Sequence, residues 1–345
     1  MVALANQHGL ALVTRDVFEH PRLAELGRFS ETGGSEEYDW ESPIAFNATG
    51  TRGAAFLVNP PSIATPYVYR DLAIGVAPEH SSFALQPVPA GGSTGYLVSV
   101  EEMAEKCLDD LVKVWPEGPY VLGGWSLGGL IAWEAAVRLG SAGNPPRDLL
   151  LIDPMDPTAP AGDQDRDGSK VQDLDGWFAE ILSVLEGRTQ PSLREDQREE
   201  LAALLDQVSL PHKYLDYPAS DLVQILKGIH ISLFAEKNYV PPSFDGDVTL
   251  VVTEDSMRDH SEQSTNRRVD ESVEIAVAGW RARTNGDFRA YVIDATHLSV
   301  VFDPSRAGAV AQVINNSFER SDSLSALEGP HSQWLKPLGL GEANG

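Results

Sequence analysis

A serine framed by glycines carries the most specific chemical signal in the chain. Gly124-Trp125-Ser126-Leu127-Gly128, followed by Gly129, matches G-x-S-x-G. That pattern marks a sharp strand-to-helix turn that exposes a nucleophilic hydroxyl. So short a motif also arises by chance, and its flanks decide. Tyr120-Val-Leu-Gly leads in as a short apolar strand, and Leu127 to Leu139 leads out as a helix with Leu130, Ile131 and Ala135 on one face. Glycine at 124 and 128 leaves room where a side chain would collide with the adjoining strand or helix. The backbone N–H of Leu127, at the helix N-terminus, then points to where an oxyanion would develop.

A serine hydroxyl is a weak nucleophile at neutral pH and needs a base, which in turn needs an orienting acid. The expected chain order for such a turn is Ser, then Asp or Glu, then His. His297 follows the predicted strand Phe288–Ile293, precedes the final helix, and has Leu-Ser-Val-Val behind it to anchor its loop. His260 lies in the polar stretch EDSMRDHSEQSTNRR and His230 in a helical segment; His8, His20, His80, His212 and His331 have no comparable setting. The acid has two candidate positions. Asp153 ends the strand Leu149–Ile152, and Glu254 or Asp255 ends the strand Val248–Thr253. Either strand end can reach a histidine across the top of a sheet, so the residues alone leave both open. A second oxyanion donor is expected from the loop after an early strand. Ala54–Val58 runs into Asn59-Pro60-Pro61-Ser62-Ile63; proline has no N–H, which makes Ser62 the first free donor after the pair. The chain has no HExxH, no GxxxxGK[ST], no GxGxxG after a strand and no Cys/His cluster, so no metal and no cofactor of its own is expected.

These residues need elements that hold them at one edge of a sheet. Short β-type runs at Ala54–Val58, Ser82–Leu85, Tyr120–Leu122, Leu149–Ile152, Val248–Val252 and Phe288–Ile293 alternate with helical stretches at 100–114, 127–140 and 304–318. That alternation predicts an α/β fold with a mostly parallel sheet and helices on both faces. Runs such as LLLI and VTLVV are nearly all apolar, as strands covered on both faces are. Residues 154–247 break the alternation. Val171, Leu174, Trp177, Phe178, Ile181, Leu182 and Leu185 share a helical face, and so do Leu222, Ile225, Leu226, Ile229 and Leu233. The segment reads as a large helical lid insertion. Residues 31–42, ETGGSEEYDWES, read as a linker, and 319–345 as a mostly disordered tail in which Trp334 and Leu335 are able to dock.

Composition narrows the partners. Among 345 residues, 26 Lys and Arg face 51 Asp and Glu, a net charge of −25. Such a surface disfavours phosphate backbones and anionic membranes, so neither nucleic acid nor membrane is expected as a partner. The single cysteine, Cys107, excludes an intrachain disulfide and fits a reducing compartment. With no basic leader followed by an apolar block and no apolar run of membrane-spanning length, the expected location is the cytoplasm.

Taken together, YRDLA (69–73), SVEEMAEKCLDDL (99–111), PEGPYVLGGWSLGGLIAWEAA (116–136), the LLLID strand and the stretch from GW to ATHLSVV (279–301) resemble a chain-terminating thioesterase domain of a nonribosomal peptide or polyketide synthetase. The resemblance implies the α/β-hydrolase fold over 43–318. It implies that the acid follows the strand after the serine helix, which selects Asp153 to serve His297 and Ser126. It further implies a substrate delivered on the phosphopantetheine arm of an upstream carrier domain. VTRDVFEHPRLAEL resembles the last helix of such a carrier, so 1–30 is expected to be a carrier remnant and the chain a piece of a larger synthetase. Two departures stand out: the His-Phe of many relatives is His-Leu here, and their Gly-rich turn after the first strand is NPPSIATP. The implied activity is transfer of an acyl or peptidyl chain to Ser126 and its release by macrocyclisation, with or without oligomerisation, or by hydrolysis. The size of the lid insertion inclines the reading to macrocyclisation. A stand-alone editing thioesterase or a carboxylesterase would use the same three residues, and a non-catalytic binding module would keep only the fold.

Overall fold

The computed structural model describes residues 23–31, 42–61, 66–87, 99–154, 174–185, 195–207, 215, 219–256, 277–319 and 332–338. Eight strands make one sheet: β1 (Ile44–Asn47), β2 (Ala54–Val58), β3 (Ser81–Leu85), β4 (Tyr120–Trp125), β5 (Asp148–Ile152), β6 (Val248–Thr253), β7 (Phe288–Ile293) and β8 (Leu335–Pro337). Their spatial order is β1-β3-β2-β4-β5-β6-β7-β8. The six inner strands run parallel, and β1 and β8 close the edges antiparallel to β3 and β7. All six predicted strands are present, with Tyr120–Leu122 extended to Trp125. The two edge strands were not predicted. β8 lies within the expected tail: Leu335 is buried, and the Arg306 guanidinium sits 3.9 Å from the centre of the Trp334 ring.

The strand period of two divides the core into two layers. Ala54, Phe56 and Val58 of β2 face one side with Leu149 and Leu151 of β5, whereas Ala55, Leu57, Leu150 and Ile152 face the other. The first layer is covered by α3 (Val100–Val114) and α4 (Leu127–Ser141). The second is covered by α2 (Arg70–Ile74), α8 (Ser299–Phe302) and α9 (Pro304–Glu319). α1 (Leu23–Glu31) covers the end of the expected carrier remnant and the first residue of the expected linker, and buries Leu26.

The insertion supplies three described helices: α5 (Leu174–Leu185), α6 (Glu195–Asp206) and α7 (Ala219–Asn238). Trp177, Ile181, Val184, Leu201, Leu205, Leu222 and Leu226 belong to a separate apolar cluster, so Trp177 and Ile181 of one predicted face pack with Leu222 and Leu226 of the other; Val171 lies outside the described residues. Trp177 Nε1 donates to the Leu204 carbonyl at 2.9 Å, and Gln197 Nε2 to that of Val184 at 2.9 Å. The far end of α7 joins the main core through Ile231 and Ala235. Just beyond it, the Tyr239 hydroxyl donates to Glu134 Oε2 of α4 at 3.0 Å, tying the insertion to the helix behind Ser126. Among the described residues no helix is long and apolar enough to cross a membrane.

Candidate active site

Ser126 occupies the single turn between β4 and α4 with φ 55° and ψ −130°. Few non-glycine residues hold positive φ, and the surroundings over-determine it here. The Ser126 N–H donates to the Ile152 carbonyl at 3.0 Å, and its own carbonyl accepts from the Gly129 N–H at 2.9 Å. A Cβ on Gly124 would enter the Gly128 carbonyl, and one on Gly128 would enter the Val58 carbonyl; the expected collisions are real. Ser126 stands at the N-cap, yet its side chain makes no capping hydrogen bond. The hydroxyl is thus not engaged by its own helix, whose first N–H groups, beginning at Leu127, have no partner within the helix.

A buried phenol braces this turn. The Tyr69 hydroxyl donates to the Val58 carbonyl at 2.7 Å and accepts from the Trp125 N–H at 2.9 Å. Burial pushes the phenol well above its ordinary range, which the Trp125 hydrogen bond only partly offsets; it stays neutral and can donate. One side chain so joins the end of β2 to the residue before Ser126. Tyr69 falls in the YRDLA stretch, but nothing in its sequence setting announces a bond across 56 residues.

Asp153 leaves the end of β5 with φ 46°, and its N–H donates to the Val251 carbonyl at 2.7 Å. The carboxylate is 4% exposed. Its Oδ1 accepts from the Thr253 N–H at 2.9 Å. Its Oδ2 lies 2.7 Å from Ser256 Oγ, 3.0 Å from Thr253 Oγ1 and 2.7 Å from His297 Nδ1. Burial alone would raise the carboxyl; the bonds from His297, Thr253 and Ser256 more than offset it and hold the group below the usual carboxylate range. An ionised carboxylate only accepts. His297 must therefore present Nδ1–H to it, and the neutral ring keeps its lone pair on Nε2.

His297 sits in the turn after β7, with 41% of its side chain exposed. The turn is locked by reciprocal bonds: the Thr296 N–H donates to Ser299 Oγ at 2.8 Å, and the Ser299 N–H to Thr296 Oγ1 at 3.1 Å. Val300 and Val301 are buried as expected, whereas Leu298 is half-exposed. The Trp125 ring lies 4.9 Å from the His297 ring, centre to centre. Ser126, Asp153 and His297 thus stand at the ends of β4, β5 and β7 on one rim of the sheet. Glu254 turns to Lys336 of β8 at 3.5 Å, and the Asp255 N–H donates to the Ala295 carbonyl at 3.4 Å. His230 stacks on Phe178 in the insertion and His80 on Phe318. Ser62 and His260 lie outside the described residues.

The family model of the thioesterase domain matches residues 56–318. The chain belongs to the thioesterase domain family. This thioesterase is 31% identical over 147 residues to an inactive atromentin synthetase of Paxillus involutus, a match covering 41% of the chain and 15% of that protein. It is 30% identical over 158 residues to malpibaldin synthetase of Mortierella alpina, covering 46% of the chain and 3% of the synthetase. The thioesterase thus spans a small fraction of these relatives' length. Among solved structures, a four-domain nonribosomal peptide synthetase bound to AMP and glycine shares its fold with TM-score 0.58 and 23% identity, over 91% of this chain and 23% of that one. The NocB thioesterase domain, in covalent complex with a fluorophosphonate nocardicin G analogue, has TM-score 0.52 and 23% identity, over 80% and 98% of the two chains.

Proposed function

We propose that the chain is the chain-releasing thioesterase domain of an assembly-line synthetase, with Ser126 as nucleophile, His297 as base and Asp153 as its orienting acid. The observation that carries the reading is the 2.7 Å contact of His297 Nδ1 with buried Asp153, on the rim where Ser126 is held in a left-handed turn. His297 Nε2 takes the Ser126 proton as Oγ adds to the thioester carbonyl of a carrier-bound chain. The Leu127 N–H donates to the oxyanion, and the sequence order makes the Ser62 N–H the second donor; losing one such donor costs about 3–4 kcal/mol. The C–S bond breaks, the pantetheine thiol leaves with the proton from His297, and an acyl ester forms on Ser126. Water, or an amine or hydroxyl of the chain itself, then attacks that ester. His297 removes its proton and returns one to Ser126, releasing a linear acid or a macrocycle. The lid insertion, tied to α4 through Tyr239, favours the internal nucleophile to the extent that it excludes water. Residues 1–30 are, on this reading, the end of the upstream carrier domain, joined through 31–42.

A fluorophosphonate probe tests the nucleophile. It is expected to label wild type on the peptide containing Ser126 and to leave Ser126→Ala unlabelled. A folded wild type that resists the probe contradicts the proposal. Product mass from a peptidyl thioester then separates macrocycle from acid, which differ by one water.

A further inference from the structure

The end of β6, one of the two places from which an acid was expected, holds the acid without supplying it. We infer that Ser256, assisted by Thr253, is a positioning residue whose hydroxyl shares the Oδ2 oxygen of Asp153 with His297. The inference rests on the triad reading above. Ser256 Oγ lies 2.7 Å from Asp153 Oδ2, the oxygen that also faces His297 Nδ1 at 2.7 Å. Thr253 Oγ1 is 3.0 Å from that oxygen and 3.0 Å from Ser256 Oγ. Thr253 Oγ1 also accepts from the Ser256 N–H at 3.2 Å.

A proton count fixes the roles. Each hydroxyl has one proton, and an ionised Asp153 has none to give. At 2.7 Å the Ser256 proton points to Oδ2. The Thr253 proton goes to the same oxygen or to Ser256 Oγ, and both arrangements leave Ser256 donating to the carboxylate. Hydrogen bonds to charged groups are the strong ones. Ser256 therefore fixes the rotation of the carboxylate and withdraws charge from the oxygen that His297 uses. Without it, Oδ2 becomes more basic and holds an imidazolium more tightly. A base held in its charged form works only at higher pH, and a carboxylate free to turn orients the ring less well. Among the described residues, the other charged groups on the elements packed around the pair include Glu254 with Lys336 of β8 at 3.5 Å, Asp255, Asp294, and Asp303 with Arg306 at 3.4 Å.

The test is kcat/KM against pH for the full chain with a peptidyl thioester, in wild type, Ser256→Ala, Ser256→Thr and Thr253→Val. Ser256→Ala is expected to move the acid limb upward by about half to one pH unit. It should lower kcat by about tenfold, the scale of one lost bond to a charged group, with KM within about twofold. Ser256→Thr, which keeps the hydroxyl, restores the limb, and Thr253→Val gives a smaller shift. A purely structural role would lower stability and leave the limb in place. Should Ser256→Ala fail to fold, Ser256→Cys, a similar shape with a weak donor, is read for the same shift. A folded variant lacking the hydroxyl, with wild-type limb and kcat, overturns the inference while fluorophosphonate still labels wild type. A wild type that the probe does not label overturns the triad reading itself.

Discussion

Ser126, Asp153 and His297 follow the ends of three strands, and the proposed acid carries a prediction of its own. Asp153→Asn keeps the shape but offers His297 Nδ1 an amide N–H, which holds the ring in the wrong tautomer; about a 10⁴-fold loss of kcat is expected. Asp255→Asn should change kcat by less than about twofold, since its backbone, not its carboxylate, makes the bond seen to the His297 loop. Steady-state kinetics of the two variants on one thioester decides between the strand ends. Equal losses would contradict the assignment of Asp153. The proposed nucleophile and base were legible because motif and chain order single out Ser126 and His297 locally. The proposed acid was not, since β5 and β6 are neighbours in register, Ile152 beside Val251, and in the sequence the residue after either strand is equally able to serve one histidine. Only the resemblance selected Asp153. Tyr69, Thr253 and Ser256 were invisible for a related reason: the bonds that make them important cross 56, 100 and 103 residues.

The elements around the turn are built to tolerance. Gly128→Ala would drive a methyl into the Val58 carbonyl, which must move the end of β2 away from α4; labelling of Ser126 by fluorophosphonate should slow severalfold or more. Tyr69→Phe is gentler. It leaves the Val58 carbonyl and the Trp125 N–H without their shared buried partner, at a cost of about 1–3 kcal/mol. Urea denaturation of the two proteins measures that difference, and equal midpoints would mean that the phenol does not brace the turn. At this scale the inner strands were legible, because AAFLV, LLLI and VTLVV are nearly unbroken apolar runs. The edge strands were not. β1 has four residues, one of them exposed, and β8 has three and ends in proline. Such edges carry little periodicity, and their pairing is decided by the strands beside them.

Over the whole molecule, the sheet and the insertion have separate apolar clusters joined through α7. Trp177→Ala should cost the insertion about 3–5 kcal/mol of packing. Hydrogen exchange is then expected to rise in α5 and α6 first, while β4, β5 and β6 keep their protection; simultaneous loss in the sheet would show one cooperative unit instead. The insertion was legible as helical and apolar, but not the partner of its apolar faces. Periodicity shows which side is buried and is silent on what buries it. Stability against pH follows from Asp153. Its folded carboxyl lies below its ordinary value, so its contribution is complete above the unfolded carboxyl range, near pH 4, and is lost as pH falls through the folded value. The acid-side slope of urea midpoints should accordingly be shallower in Asp153→Asn than in wild type. The central claim, covalent acyl transfer to Ser126, is tested most directly by intact-protein mass spectrometry after mixing with a short peptidyl thioester. Wild type is expected to gain the mass of the acyl group, on the peptide containing Ser126, and Ser126→Ala to gain nothing. A folded wild type with neither adduct nor turnover, or an equal adduct on Ser126→Ala, would contradict it.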